Sequence, residues 1–588
     1  MTHGAGAGDL RTRLRLWRAT PGRGPRGIVW LPAPRGVGSE RKGAQILAGT
    51  WHLAGEVIEA PGALPWDLTP GSTPFEMMLH GQGWLDDVMA AGRAGATERA
   101  RDWVLDWARR YGGGRGPGWS PSLTGRRLLR WISHAPALLT GLADTDRGLL
   151  LQAIYAQAGY LARHSGDAAP GLPRLEALVG LLYGGLTLDG QARMADIAVA
   201  GLERALGEDV DAEGGIEARN PEALLEVAIL LGWAIDALRA RGPVPRGLAS
   251  AQARIVPTLR ALTHADGTLA RFHGGGPGRE GRLAQVPASS DRPARGDGGL
   301  AMGFLTMAQG GTTLIADAAP PPTGPVSGSA HASTLAFELT SGSCPVVVNC
   351  GPGGAFGRDW HRAGRATASH STLSLDGWST ARIGPLIEVD GRRVAPLVQP
   401  PGRVQWSRSD GPEGSTAIMA HDGYGPGFGL THLRRLVLST DGGNLSGEDA
   451  LRATTAADKE RLQAARLAAR EEPEDGLTFR IRFHLHPDAE AGLEPDGRAV
   501  TIACPSGEAW LFRMGDRTRG DGAARAALSL EPSVHLDPAR LHPRPARQVV
   551  LSGRVLTYAA TIDWTLTRIR ATTDPAARPD DQQGRPPT

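Results

Sequence analysis

From Thr97 to Thr263 apolar residues recur at three- and four-residue spacing. In Thr97–Tyr111, Trp103, Leu105, Trp107 and Ala108 fall near one face of a helix. The same period predicts helices over Leu123–Leu142, Arg147–His164, Arg174–Leu186, Gly190–Leu206, Pro221–Arg241 and Ala249–Thr263, separated by loops rich in Gly, Pro and Asp. Repeated helices joined this way suggest stacked hairpins. A turn at His264-Ala265-Asp266-Gly267 and a Gly/Pro/Arg-rich stretch up to Gly299 then mark a domain connection. Beyond Ala301 the pattern changes to short strand-like runs, among them Thr313–Ala316, Leu335–Leu339, Thr372–Leu375, Thr416–Met419, Thr478–Leu485, Val500–Ala503, Ala509–Phe512, Val549–Ser552 and Thr557–Thr561. Many strands without helices of similar number imply an antiparallel sandwich. Ala456–Glu472 is the exception, a helical insertion or a charged loop. The expected organisation is a helical domain over 1–300, a β-sandwich over 301–572 and a polar, Pro-rich, disordered tail over 573–588. Asp9–Arg18 has the pattern of a short basic amphipathic helix, expected to pack on the domain edge.

Charge changes this picture little. The formal net charge is +3, and no basic run is interleaved with aromatics, so nucleic acid is not an expected partner. Lys42 and Lys459 are the only lysines; with so much Ala, Gly and Pro, the arginine bias fits a GC-rich bacterial genome. No run approaches the roughly 20 apolar residues of a membrane span. The first residues show no apolar core of a signal peptide, which predicts a cytoplasmic protein. The three cysteines form no Cys-x-x-Cys pair, as expected for a chain without a disulfide framework. Cys344 and Cys350 flank one predicted strand and can approach each other, although buried apolar thiols are the plainer reading.

Candidate chemistry gathers between Ser329 and Thr372. Two predicted strands, Ser333–Leu339 and Val346–Asn349, are followed by a Gly-rich loop through Trp360, His361 and Arg365 to His370. His331 then precedes one strand, Asn349 ends the next, and His370 precedes a third. Strand ends let side chains converge while the sheet holds them.

The residues that carry a family resemblance are Ser329-Ala330-His331-Ala332-Ser333 leading into Leu335-Ala336-Phe337-Glu338-Leu339; Val347-Val348-Asn349-Cys350-Gly351; Arg365-Ala366-Thr367-Ala368-Ser369-His370-Ser371-Thr372; and His421-Asp422-Gly423-Tyr424 followed by His432, Arg434 and Arg435. In this order they resemble the C-terminal β-domain of the heparinase II/III-type polysaccharide lyases. Pro65-Trp66-Asp67 and His80-Gly81-Gln82-Gly83-Trp84-Leu85 resemble the N-terminal part of the same family. The resemblance implies an N-terminal α/α toroid followed by the antiparallel β-sandwich. It also implies β-elimination of a uronic-acid-containing acidic polysaccharide or oligosaccharide in the cleft between them. Many members are exported, so a periplasmic or envelope location is the family alternative to the cytoplasm.

Elimination requires neutralisation of the substrate carboxylate, a base for the C5 proton and an acid for the leaving oxygen. The family's Gly-Asn-His helix start reads Gly171-Leu172-Pro173 here, and Ala223 stands at its catalytic Tyr position. Tyr424 is the remaining acid/base candidate. Glu217, Arg219 and His361 complete the catalytic set, with Arg174 and Asn220 as neighbours that otherwise serve helix starts. Trp119, before a helix carrying Arg126, Arg127 and Arg130, sits where the family lines its cleft; a core Trp is the default reading. The alternating His484 and His486 are read as structural. His331, Asn349 and His370 match positions that hold a zinc-type divalent metal in some members. Asn349 stands where the family has Asp, and an amide is a much poorer zinc ligand. The competing reading is a hydrogen-bonded cluster that pins strand ends without an ion. No organic cofactor is implied, and self-association is left open. The alternative to a lyase is a catalytically altered or inactive glycan-binding or assembly protein on the same scaffold.

Overall fold

The computed structural model describes residues 27–33, 36–114, 116–278, 281–286, 299–389, 392–468, 476–515, 526–540 and 542–570. The expected helix at Asp9–Arg18 and the tail over 573–588 lie outside the described residues.

The helical part contains α1 (Thr73–Gly81), α2 (Ala96–Tyr111), α3 (Pro121–Ser133), α4 (Asp144–His164), α5 (Leu172–Thr187), α6 (Ala192–Asp209), α7 (Pro221–Arg239) and α8 (Arg246–Ala261), with shorter helices between. Burial sorts them into two layers. Every residue of α5 from Leu175 to Thr187 is buried, and α7 is buried on nearly all sides. In contrast, α6 buries one stripe: Ala195, Ala198, Leu202, Ala205 and Leu206. The inner helices α3, α5 and α7 follow one another, with α4, α6 and α8 outside, as in an α/α toroid. The α3–α5 contact needs glycine: a Cβ on Gly180 would lie 2.6 Å from the Gly125 Cα. The helix predicted over Leu123–Leu142 is two, broken at His134 just before Pro136, which has no N–H to donate.

The sandwich contains β1 (Phe304–Gln309), β2 (Thr312–Asp317), β3 (Phe337–Ser341), β4 (Cys344–Val348), β5 (Leu373–Leu375), β6 (Val404–Gly411), β7 (Gly414–Tyr424), β8 (Leu430–Ser439), β9 (Asn444–Arg452), β10 (Leu477–Leu485), β11 (Glu490–Leu493), β12 (Ala499–Ala503), β13 (Ala509–Met514), β14 (Ala527–His535), β15 (Arg544–Val555) and β16 (Ala559–Arg570). One eight-stranded sheet runs β14-β15-β10-β4-β3-β2-β1, with β5 also on β10. The other runs β6-β7-β8-β9-β16-β13-β12-β11. Neighbours pair antiparallel throughout. Ala456–Ala468 is a helix, and its Leu462 inserts into the sandwich core.

Alternation in β8 points Leu430, His432, Arg434, Leu436 and Leu438 inward. Two polar residues thus enter the core, and β9 answers with Asp449. Arg434 donates to both Asp449 oxygens (2.7 and 3.1 Å), while His432 Nε2 and Trp564 Nε1 donate to the same carboxylate (2.8 and 3.0 Å). The helical core does not stop at the connection: Phe304, Ile315 and Ala336 belong to the cluster that fills the toroid.

Candidate functional site at the junction of helices and sandwich

The junction is built on two buried carboxylates, Asp317 at the end of β2 and Glu338 in β3. Each takes partners from the helical side. Arg219 lies in the turn before α7 with φ of 49°. Its guanidinium donates to the carbonyls of Met302 (3.0 Å), Gly303 (3.0 Å), Pro320 (2.7 Å) and Ala319 (3.3 Å), and to Asp317 Oδ1 (2.5 Å). Asp317 Oδ2 accepts from Ser333 Oγ at 2.7 Å, and His273 Nε2 lies 3.5 Å away. Glu338 Oε2 accepts from the Arg271 N–H (2.9 Å) and His264 Nε2 (3.3 Å), while Oε1 accepts from Asn349 N (3.1 Å) and Nδ2 (3.2 Å). Burial works against ionising Glu338, but His264 and Arg271 outweigh it and hold the carboxyl at about 2.

Three histidines continue the cluster. His273 Nδ1 accepts the His331 backbone N–H at 3.2 Å, His331 Nδ1 donates to His370 Nε2 at 2.9 Å, and His370 Nδ1 donates to the Ala366 carbonyl at 2.8 Å. Burial drives His273 and His331 well below their ordinary range and His370 down to about 4, so all three are neutral near pH 7. These bonds explain why the strand expected from Ser333 begins only at Phe337. Ser333 is turned onto Asp317 and Leu335 takes φ of 63°, so the preceding residues form a buried loop.

Residues offered for a zinc-type ion do not fit one in this arrangement. Both His370 nitrogens are engaged, one accepting from His331 and the other donating to Ala366. Asn349 spends Nδ2 on Glu338 and Oδ1 on the Ser371 N–H, at 3.0 Å. Among the described residues no group of three or more His, Cys, Asp or Glu side chains could hold a metal ion. What the set does is pin the ends of β3, β4 and β5 to one another and to the helices.

The catalytic candidates are dispersed. Tyr424 ends β7, is 2% exposed, and donates its hydroxyl to the Leu373 carbonyl at 2.9 Å within the sandwich core. Burial pushes its phenol upward, away from proton transfer near neutrality. Its neighbour His421 donates through Nε2 to His432 (3.3 Å) and so joins the Asp449 network. Arg219 is the clasp described above, and Glu217, two residues earlier, is exposed. His361, on the short helix Arg358–Gly364, donates to the Gly328 carbonyl at 3.1 Å; burial, with Arg365 adding to it, lowers its pKa. Arg365 is buried and donates to the carbonyls of Ala330, Ala395 and Ser327, each at 2.8 Å. In the helical part Asn220 caps α7 through the Ala223 N–H (3.0 Å) and Arg174 pairs with Glu208 (2.8 Å). Trp119 is a core residue bonded to the Tyr111 carbonyl at 2.8 Å. Thus the structure joins Arg219 with His331, Asn349 and His370 in one junction, and leaves Tyr424, Glu217 and His361 apart from it.

Between the inner helices a second charged group went unread in the sequence. Arg126 of α3 donates to Glu176 of α5 (2.9 and 2.6 Å), and Arg130 and His134 meet Asp86 (3.1 and 2.9 Å). Arg282 forks onto Glu226 of α7 with its guanidinium 5.7 Å above Trp233. Three guanidinium groups face three carboxylates, and Arg126, Arg130, Glu176, Glu226 and Arg282 line a small, partly open space of ≈ 20 Å³. Glu338 and Asp317 carried a sequence signal, an acid within an apolar strand. The partners of Arg126 and Arg282 carried none, because they come from helices distant along the chain.

A family model described as heparinase II/III-like, C-terminal, matches residues 291–565. FtsZ-localized protein C of Caulobacter vibrioides is 32% identical over 573 residues, which is 96% of this chain and 93% of the relative. Among solved structures, heparinase III matches with a TM-score of 0.64 at 11% identity, over 97% of this chain and 93% of the other. A mutant of the heparan sulfate lyase HepC from Pedobacter heparinus matches with a TM-score of 0.57 at 14% identity, over 96% and 88%. At these identities the structural matches speak for the fold.

Proposed function

The chain belongs to the heparinase II/III-like family, and from that premise we propose that it is a non-catalytic member that uses the lyase scaffold for assembly. The carrying observation is where the acid/base candidate lies. Tyr424 sits in the sandwich core with its hydroxyl committed to Leu373. An acid or base must reach the substrate proton within hydrogen-bond distance, directly or through one water. A second support is the toroid centre, where Arg126, Arg130 and Arg282, the groups suited to a substrate carboxylate, are matched by Glu176, Asp86 and Glu226. Carried over from the name of the C. vibrioides relative, the proposal is that this protein co-localises with FtsZ.

The elimination reading has one specific observation in its favour: Arg126 and Arg130 do line the space between the inner helices. On that reading a uronic-acid glycan displaces Glu176 and Asp86 from them.

One experiment separates the two readings. The purified protein is screened against uronic-acid polysaccharides for the ultraviolet absorbance of unsaturated uronate, beside a pull-down with purified FtsZ and imaging of a fluorescent fusion. The expected result is no absorbance growth, with FtsZ association. Absorbance growth on any glycan would overturn the assembly reading, and Tyr424→Phe would then show whether the phenol takes part.

A further inference from the structure

The two sheets of the sandwich end in four edge strands, and an edge strand offers unpaired N–H and C=O groups to any other strand. Three of the four are blunted. β1 is covered: the Thr306 carbonyl accepts from Arg408 Nη1 at 2.8 Å, and the Thr306 hydroxyl donates to the Ala261 carbonyl at 2.7 Å. β11 is four residues long and opens on Glu490. β14 carries Pro532 in mid-strand, where there is no N–H to offer. β6, which reads Val404-Gln405-Trp406-Ser407-Arg408-Ser409-Asp410-Gly411, has none of these protections. It is eight residues long and holds neither lysine nor proline. It pairs with β7 in unbroken register, from Val404 opposite His421 to Gly411 opposite Gly414, without a bulge. Its one cation is already matched, since Arg408 Nη2 donates to both Asp410 oxygens at 3.2 and 3.1 Å. Among the described residues no strand pairs with its outer side.

β6 also overhangs the core. Trp406 lies opposite Met419 of β7 and shares its face, yet Met419 is 0% exposed and Trp406 39%. On the other face Ser407 lies opposite Ile418, which is also 39% exposed. The edge thus presents apolar surface on both faces beside its open hydrogen-bonding groups.

We propose that β6 is a dimerisation edge, pairing antiparallel with β6 of a second copy of this chain about a two-fold axis at Ser407. The strand is complementary to itself in this register. Trp406 falls opposite Arg408 twice, on the overhanging face, where the indole covers the guanidinium. Gln405 falls opposite Ser409 on the other face, and Ser407 meets its own copy. Asp410 falls opposite Val404 and stays beside its own Arg408, so no like charges are opposed. The strand carries one cation and one anion and has no net charge to repel a second copy. Such a two-fold pairing closes at two chains and joins their eight-stranded sheets edge to edge. It does not depend on whether the protein associates with FtsZ.

The test follows the full-length protein by sedimentation velocity across a concentration series. The expected result is reversible growth from the 61.8 kDa chain to twice that mass. Trp406→Lys sets an ammonium against Arg408 of the partner subunit on both sides of the axis. It is expected to weaken association by on the order of tenfold or more, with the far-ultraviolet circular dichroism unchanged. Ser407→Cys reads the register separately. Residues directly opposite in antiparallel strands have Cα atoms about 4.5–5.5 Å apart, within reach of a disulfide. Mild oxidation is expected to give a disulfide-linked dimer with Ser407→Cys. Gln405→Cys is expected to give none, because its two copies lie about 13 Å apart along the strands. The three natural cysteines are buried and leave the background low. A monomer at every concentration, an assembly larger than two, association unaltered by Trp406→Lys, or equal crosslinking of the two cysteine variants would each overturn the proposal.

Discussion

At the scale of single residues, burial decides what the histidines of the junction can do. His370 has its pKa at about 4, below the ordinary imidazole range, because charging it without water is costly. The folded state therefore binds fewer protons than the unfolded chain below about pH 6.5. Stability from this source is complete above that value and is lost as pH falls toward 4, by about 1.4 kcal/mol per unit for each such histidine. Glu338, held at about 2, adds a second window: its contribution is complete above the ordinary glutamate value and is lost between about pH 4.5 and 2. We expect Tm to be level above pH 7, to fall from about pH 6.5, and to fall further below 4.5; a thermal scan across pH checks this, and a level Tm from 7 to 5 contradicts it. Tyr424 gives a second residue-scale expectation. Tyr424→Phe removes one hydroxyl and leaves the Leu373 carbonyl short of a partner, which costs about 1–2 kcal/mol in a denaturant titration. Both outcomes concern stability, since each of these side chains is buried and hydrogen-bonded to protein groups. Position in a motif marked these residues for attention, but it could not show whether a phenol or an imidazole faces water or core.

Among elements, close approach and clasping hold the architecture. The α3–α5 crossing depends on Gly125 and Gly180, where the two backbones come too near for any side chain. Gly180→Ala is expected to push the helices apart at a cost of about 1–3 kcal/mol, read by chemical denaturation. The clasp between helices and sandwich rests on Arg219, whose fork reaches four carbonyls and one carboxylate. Arg219→Ala would leave Asp317 buried and unpaired, at a cost of about 3–5 kcal/mol. Arg219→Lys is expected to recover only part of this, because one ammonium cannot span acceptors that a planar fork reaches. Helix periodicity was legible along α2 and α4 to α8, while the break at His134 depended on a single proline. The strands were legible wherever apolar residues alternated; the buried loop before β3 was not, because its Ser333 is held by a hydrogen bond to Asp317 of β2.

For the whole molecule, the toroid centre matters most. Segment 281–286 brings Arg282 onto Glu226 above Trp233, and with the two neighbouring charge groups it closes the space between the inner helices. Arg282→Glu would set two carboxylates against each other. Faster amide hydrogen exchange is expected at 281–286 and along the facing turn of α7, with the sandwich keeping its protection; unchanged exchange at the segment would contradict the closure. Chelation is a separate whole-molecule test. Because Asn349 and His370 spend their ligating atoms on protein groups, treatment with a chelator is expected to leave Tm unchanged. A drop in Tm restored by zinc would show that the cluster rearranges around an ion. Among the described residues no helix is long and apolar enough to cross a membrane.

The sequence by itself determined the two-part architecture and the family, because periodicity and motif order are local properties written along the chain. It also placed Leu172, Pro173 and Ala223 at positions where the resemblance implies other residues. Only the tertiary structure decided the chemistry. It buried Tyr424, joined Asp317 and Glu338 to partners from the helical part, and closed Arg126 and Arg282 onto Glu176 and Glu226. Each of these pairs residues far apart in the chain. Whether such a group meets solvent, a charge or a carbonyl is a matter of packing, on which neither spacing nor composition bears.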